Sequence, residues 1–278
     1  KGAILNARIL WSFAAAYRVT KNPQYLAAAT RAKDYIIERF NDKEYGGIYW
    51  SLNADGTPKD TKKQFYAIGF AIYGLSEYVR ATHDKEALDR AIELFEVIER
   101  HSFDPEYNGY IEACTREWKT IEDMRLSKLD ANYPKSQNTH LHIIEPYTNL
   151  YRVCKDARLE KALRNLIDIF TDKILNPETY HLDLFFENDW TRGAGHLESY
   201  GHDIECSWLL HEAALVLGDK EVLAKVEPIV RKVAEASRKG LDHDGSLIHE
   251  ANLDTGNIDA DLHWWVQCEN IMGNINLY

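Results

Sequence analysis

The sequence lacks the long apolar run that a membrane-spanning helix needs, and no signal-peptide pattern opens it. It also lacks any Ser/Gly tract, Pro-rich run or low-complexity stretch of the kind that marks a linker. We therefore expect no membrane partner, and we expect residues 1–278 to form one domain.

Cysteine and positive charge are both scarce. The four cysteines are widely spaced and form no CxxC pair, which favours a reduced, cytoplasmic compartment and argues against a thiolate metal site. The chain carries 33 Lys and Arg against 44 Asp and Glu, a net charge of −11. Because nucleic-acid binding normally requires a basic surface, we expect no nucleic-acid partner.

Several catalytic motifs are missing as well. The chain has no HExxH, no GxSxG and no Gly-rich phosphate loop, so we expect no metal and no cofactor. Aromatic residues, in contrast, are abundant, with 7 Trp, 16 Tyr and 9 Phe. Such flat side chains suit stacking on sugars, but large helical cores also use them, and composition leaves both explanations open.

Apolar residues recur at helical spacing along nearly the whole chain, as in Ile4, Leu5, Ile9 and Phe13. No convincing long strand interrupts them, so the class is all-α. The predicted helices span residues 2–18, 23–40, 65–82, 85–101, 137–154, 157–174, 201–217, 220–238 and 261–278.

The connections alternate between short turns and longer loops. Most of the longer loops place glycine beside short aromatic or apolar alternation, which predicts small hairpins. The unit of helix, turn, helix and hairpin loop repeats roughly every 60–75 residues, as in stacked helix pairs. The hairpin loops are predicted around Tyr45–Trp50, Tyr107–Ile111, His181–Phe186 and Asp244–Ile248.

This alternation predicts an (α/α)6 barrel, a toroid in which the helices after the long loops form the inner layer. Those helices would begin near residues 1, 65, 137, 201 and 261. That makes five inner helices and four outer ones, whereas a closed barrel needs one more helix before residue 1 and two after residue 278. We therefore expect an incomplete toroid that belongs to a longer protein.

Unusual polar and aromatic residues cluster at the starts of the inner helices, which would share one mouth of the barrel. His202 and Glu205 lie three apart on one helical face, and Asn138 and His142 lie four apart on another. Each has a structural explanation too, but independent core residues would not be expected to converge on one rim. The full set is Arg8, Tyr66, Asn138, His140, His142, His202, Glu205, His263, Trp264, Trp265 and Glu269.

The chemistry of this set suits sugars. Indole stacks on a sugar face, while guanidinium, amide and carboxyl groups bind hydroxyls. A histidine can move protons in both directions near neutral pH. Together they suit removal and return of a proton next to a carbonyl, without a metal or a redox cofactor.

Four ordered segments carry a resemblance to a known family: Lys1–Trp11, Asn138–His142, Gly201–Glu205 and His263–Gln267. The chain resembles the cellobiose 2-epimerase family of the N-acylglucosamine 2-epimerase superfamily, whose fold is an (α/α)6 barrel. The resemblance implies epimerisation at C2 of the reducing-end glucose of cellobiose and related β-1,4 disaccharides, through ring opening and a cis-enediolate.

The resemblance also implies roles for individual residues. His202 would be one of two histidines that exchange the C2 proton, and His142 would assist it or share in ring opening. Trp208, Trp264 and Trp265 would line the cleft. The residues that would hold and polarise the opened sugar are Arg8, Tyr66, Asn138, Glu205 and Glu269.

Two departures qualify the resemblance. Gln267 stands two residues after the tryptophan pair, at a position where the resemblance places His in N-acylglucosamine 2-epimerases. This difference favours a disaccharide substrate. The family's second catalytic histidine lies in a Trp-Lys-Cys-Pro-Tyr-His-Asn-like motif that this chain does not contain, so it is expected beyond Tyr278 and the chain alone is expected to be inactive.

Other functions stay open at this stage. Two alternatives use related chemistry: an N-acylglucosamine 2-epimerase, and an aldose–ketose isomerase, which shares the enediolate intermediate. Glu205 and Glu269 could instead be the acid and base of an inverting glycosidase. A non-catalytic sugar-binding or protein-binding module is the remaining alternative.

Overall fold

The computed structural model describes residues 1–128 and 130–277, and nine α-helices lie among them. Every predicted helix is present, and most ends agree within three residues. The helices are α1 (Ala3–Thr20), α2 (Pro23–Tyr35), α3 (Phe65–Thr82), α4 (Lys85–His101), α5 (Gln137–Val153), α6 (Ala157–Ile169), α7 (Tyr200–Leu217), α8 (Lys220–Ser237) and α9 (Trp264–Leu277).

Two predicted helices reach their expected last residues, 40 and 174, through a change of helix type, and one predicted start was wrong. α2 and α6 each pass into a wider π-helical turn, Ile36–Phe40 and Phe170–Ile174, before the chain turns back. This widening places Phe40 and Ile174 in the core. The last helix begins at Trp264 rather than near 261, and Tyr278 of the predicted helix lies outside the described residues.

The four short turns share one chemistry. Each outer helix begins after an Asn or Asp whose side chain accepts a hydrogen bond from a backbone N–H of the first turn. The capping residues are Asn22, Asp84, Asp156 and Asp219.

The odd-numbered helices pack side by side in chain order, and each even-numbered helix packs outside its partner. The inner and outer layers of the predicted helical toroid are therefore confirmed. Glycine permits close approach at two inner contacts. A Cβ on Gly69 of α3 would lie 2.2 Å from the backbone oxygen of His142, and one on Gly273 of α9 would lie 2.4 Å from a side-chain carbon of Ile204.

Short strands hold the starts of the inner helices. The chain just before α3, α5 and α7 pairs in each case with a strand from the next long loop, and Gly2 before α1 bridges to Ser51. The pairs are all antiparallel: β1 (Ser51–Leu52) with β2 (Pro58–Asp60), β3 (Lys63–Gln64) with β4 (Ala113–Cys114), β5 (Lys135–Ser136) with β6 (Phe185–Phe186), and β7 (Leu197–Ser199) with β8 (Glu250–Asn252), which also pairs with β9 (Ile258–Asp259).

Three of the predicted hairpins are confirmed as tight turns that each close with one β-bridge, and a fourth such turn lies just before the predicted His181–Phe186 segment. The bridges join Asn41 to Ile48, Phe103 to Tyr110, Leu175 to Leu182, and Leu241 to Leu247.

Two of these turns are clamped by a buried lysine from the strand before the next inner helix. Lys63 Nζ lies 2.8 Å from Asp42 Oδ2, and Lys135 Nζ lies 2.8 Å from Asp104 Oδ2. Burial lowers the pKa of both lysines, while the facing aspartates oppose that shift.

In the described part of the chain, no helix is long and apolar enough to cross a bilayer.

Candidate active site

One cavity of about 710 Å³ runs into the helical toroid among the inner helices. It contains every residue that the sequence assigned to catalysis or substrate binding. These residues are Arg8, Tyr66, Asn138, His142, His202, Glu205, Trp208, Trp264, Trp265 and Glu269.

Helical periodicity explains how single helices supply several of these groups. α7 presents His202, Glu205 and Trp208 at successive spacings of three, so they form one stripe along the cavity wall. α5 likewise presents Asn138 and His142, and its stripe continues with residues deeper in the cavity.

The side chain of His202 is oriented by the residue just before its helix. Ser199 Oγ lies 2.8 Å from His202 Nδ1. When Nδ1–H donates to this oxygen, Nε2 keeps its lone pair and can accept a proton. Burial, followed by the neighbouring His142 and His249, lowers the pKa of His202 to about 3, so its imidazole is neutral at neutral pH.

His142 lies between two carboxyl groups. Its Nδ1 is 3.1 Å from Glu145 Oε2, and its Nε2 is 3.6 Å from Glu205 Oε1. Tyr66 packs edge-on against this imidazole, with 4.6 Å between the ring centroids. Glu145, His142 and Glu205 therefore form a row of titratable groups along the cavity wall.

Two carboxyl groups of the site have pKa values raised above their usual range. Burial, together with the nearby Glu269 and Glu145, raises the pKa of Glu205 well above its usual range. Burial also raises the pKa of Glu269 to about 7, although the indole of Trp208 donates a hydrogen bond to it at 2.8 Å. A protonated carboxyl can donate to an oxygen that gains charge.

Aromatic side chains and a guanidinium form the remaining wall. Arg8 Cζ lies 4.7 Å from the centre of the Phe70 side-chain ring, a cation–π contact. Trp265 packs against His202 with 4.9 Å between centroids. Trp264 is 70% exposed, at the mouth, where it can meet a part of the ligand that extends outwards.

Two polar atoms in the cavity wall are buried and have no hydrogen-bond partner among the described residues. They are Asn138 Oδ1, an acceptor, and Trp11 Nε1, a donor. Because leaving such groups unpaired is costly, they are well suited to bind sugar hydroxyls.

Two residues of the sequence-derived rim do not reach the cavity, and that expectation was wrong for them. His140 is fully buried, its Nδ1 lies 2.6 Å from Ser136 O, and its Nε2 accepts the N–H of Tyr110 at 3.0 Å. Burial lowers its pKa to about 4, so it is a neutral structural group. His263 precedes α9 and is exposed outside the cavity.

Sequence reasoning missed several residues that line or support the site. Glu145 and Asn149 continue the α5 stripe at spacings of three and four, a signal that could have found them. Ser199 had no such signal, because its role depends on how the chain enters α7. In the described residues one group of metal-ligating side chains occurs, His249, Asp259 and His263, and it lies beside the cavity rather than in it.

The profile of the N-acylglucosamine 2-epimerase (GlcNAc 2-epimerase) family matches residues 1–278. The chain belongs to this family. Among its family relatives, cellobiose 2-epimerase of Bacteroides fragilis is 62% identical over 278 residues, which are 100% of this chain and 71% of the relative. Cellobiose 2-epimerase of Ruminococcus albus is 39% identical over the same length, or 70% of that protein.

Solved structures agree with the family assignment. The structure of cellobiose 2-epimerase from Bacillus thermoamylovorans superposes with a TM-score of 0.93 at 40% identity. The match covers 100% of this chain and 71% of that one. The helical toroid of this chain is therefore that of other family members.

Proposed function

We propose that this protein is a cellobiose 2-epimerase, which converts the reducing-end glucose of cellobiose and related β-1,4 disaccharides to mannose. The observation that carries the proposal is His202: a neutral, oriented imidazole in a cavity that also holds two protonatable carboxyl groups and several indoles. The names of the similar proteins support the choice of cellobiose.

Ring opening comes first. The ring oxygen must gain a proton while the anomeric hydroxyl loses one, which yields the free aldehyde at C1. Glu205, whose pKa is raised by burial, is suited to donate, and His142 beside it is suited to accept.

His202 then removes the proton from C2. The electron pair of the C2–H bond forms the C1=C2 bond, and the carbonyl electrons move to O1, giving the cis-enediolate. Arg8 and protonated Glu269 support this charge by ion pairing and hydrogen bonding. Return of a proton to the opposite face of C2, from the second histidine that the family resemblance implies, gives mannose. Each step moves only protons and electron pairs, so the chemistry as written uses no cofactor.

The second sugar is assigned to the mouth of the cavity. Trp264 and Trp265 begin α9 at this edge, and Trp264 offers an exposed indole face for stacking. We also place the reaction in the cytoplasm, in keeping with four cysteines that are all free thiols.

Incubation of the full-length protein with cellobiose in D2O tests the proposal. We expect glucosyl-mannose as the product, with one deuterium at C2, followed by NMR spectroscopy. Free glucose without exchange at C2 would establish a glycosidase instead. A glucosyl-fructose product would establish an aldose–ketose isomerase, and binding without exchange would establish a sugar-binding module.

A further inference from the structure

Three metal-ligating side chains meet at the β8–β9 ribbon. His249 precedes β8, Asp259 ends β9 and His263 precedes α9. One donor atom from each lies within 4.8 Å of the other two. They are separated by ten and four residues in sequence, and the antiparallel ribbon brings them together: the N–H of His249 donates to the backbone oxygen of Asp259 at 3.2 Å.

The side chain of His249 carries an independent sign of a ligand. Its Nδ1 is buried and has no hydrogen-bond partner in the part of the chain that the structure describes. The centroids of the His249 and His263 imidazoles lie 4.3 Å apart. Neither side chain lines the cavity. Two facing imidazoles beside a carboxylate form a typical donor set for a cation.

We propose that His249, Asp259 and His263 form a binding site for a first-row divalent cation of the zinc class. Two imidazoles and one carboxylate are a set that zinc accepts, with a fourth position left for water. Calcium and magnesium prefer oxygen ligands, so they fit this set poorly. Ligands of tetrahedral zinc lie about 3.4 Å apart, so binding requires the donor atoms, now within 4.8 Å of one another, to approach. The side chains of Asp259 and His263 are exposed.

The bound ion would fasten the ribbon to the start of α9. From there a chain of side-chain contacts leads into the cavity. The rings of His249 and Trp265 lie 6.0 Å apart, and Trp265 contacts His202. The ion therefore holds the segment that carries Trp264 and Trp265. Cation binding itself does not depend on which reaction the cavity catalyses.

Isothermal titration of the metal-free protein with Zn²⁺ tests the site. We expect one ion per chain, with little or no heat from Mg²⁺. His263→Asn should weaken binding by about 100-fold or more, because even changes to residues behind a ligand cost 10–100-fold. Asp259→Asn should do the same, and both changes are at exposed positions.

His243→Asn is the matched control. His243 is also an exposed histidine beside a carboxylate, with its Nδ1 2.8 Å from Asp242 Oδ1, but it lies outside the cluster. This variant should bind Zn²⁺ as the unmodified protein does. Zn²⁺ should also raise the Tm of the unmodified protein and of His243→Asn, but not of His263→Asn. Absence of stoichiometric binding, or equal binding by His263→Asn, would overturn the proposal.

Discussion

At the scale of the residue, the same side chain serves opposite purposes in two places. His140 and His202 are both near the start of an inner helix, and burial lowers the pKa of each. Both ring nitrogens of His140 are occupied by backbone groups, whereas His202 uses one nitrogen on Ser199 and presents its ring to the cavity. The pKa direction alone does not separate a structural histidine from a catalytic one, but the hydrogen-bond partners do.

This contrast predicts opposite effects of the same substitution. His202→Asn should lower kcat for cellobiose epimerisation by about 10²–10⁴-fold, because general acid–base catalysis contributes that much, while leaving the free energy of unfolding nearly unchanged. Initial rates and chemical denaturation measure the two quantities. Near-normal turnover in this variant would contradict the assignment.

His140→Asn is the control. It should cost about 1–3 kcal/mol of stability, since the buried N–H of Tyr110 loses its acceptor, while the rate per folded molecule is retained.

At the scale of the element, the starts of the inner helices are held by contacts from other repeats. Glu112, just before β4, is buried and connects two of these starts. Its backbone oxygen accepts the N–H of Phe65 at 3.1 Å, and its carboxyl accepts the hydroxyls of Ser136 at 2.9 Å and Thr139 at 2.6 Å. Glu112 therefore holds the start of α3 through its backbone oxygen and the start of α5 through its carboxyl group.

Glu112 predicts a pH dependence of stability. Burial raises its pKa from 4.5 to about 8, so the folded chain keeps a proton that the unfolded chain releases between these values. The free energy of unfolding should therefore fall as the pH rises from 4.5 to 8, by roughly 4 kcal/mol from this group. Glu112→Gln should remove that part of the dependence in denaturation measured at pH 5 and pH 8.

Glu106→Gln, at an exposed carboxyl in the same loop, should leave the pH dependence unchanged. If Glu112→Gln keeps the pH dependence of the unmodified protein, Glu112 does not hold its proton in the folded chain.

At the scale of the whole molecule, a buried carboxyl group links three inner helices at the end of the toroid opposite the helix starts. Glu77 of α3 is fully buried and accepts from Arg18 of α1 at 2.7 Å. It also accepts from Arg80 at 2.7 Å and from Asn149 of α5 at 3.3 Å. Three inner helices thus meet at one carboxylate.

Loss of this carboxylate should destabilise the protein. Glu77→Gln should lower the free energy of unfolding by about 2 kcal/mol, because two hydrogen bonds to charged groups are weakened, although both arginines are partly exposed and can be rehydrated. Chemical denaturation at neutral pH measures the change. Lys85→Met, which breaks the exposed pair with Asp89, should change stability by less than about 0.5 kcal/mol. Equal effects of the two changes would contradict the role of Glu77.

The sequence by itself determined the helices and their alternation, because helical periodicity and Asn or Asp caps are local properties of the chain. It also determined that His202, Glu205 and Trp208 share a face, since spacings of three residues place side chains on one side of a helix. The layering of inner and outer helices followed from the alternation of short and long connections.

Only the tertiary structure decided which rim residues reach the cavity and which partners they meet there. His140 and His263 follow the same sequence pattern as His202, but packing turns one into the core and leaves the other beside the β8–β9 ribbon. The contacts of Ser199 with His202, of Glu112 with α5 and of His249 with His263 join residues by the path of the backbone in space. Their geometry depends on the whole fold, and no spacing along the chain encodes it.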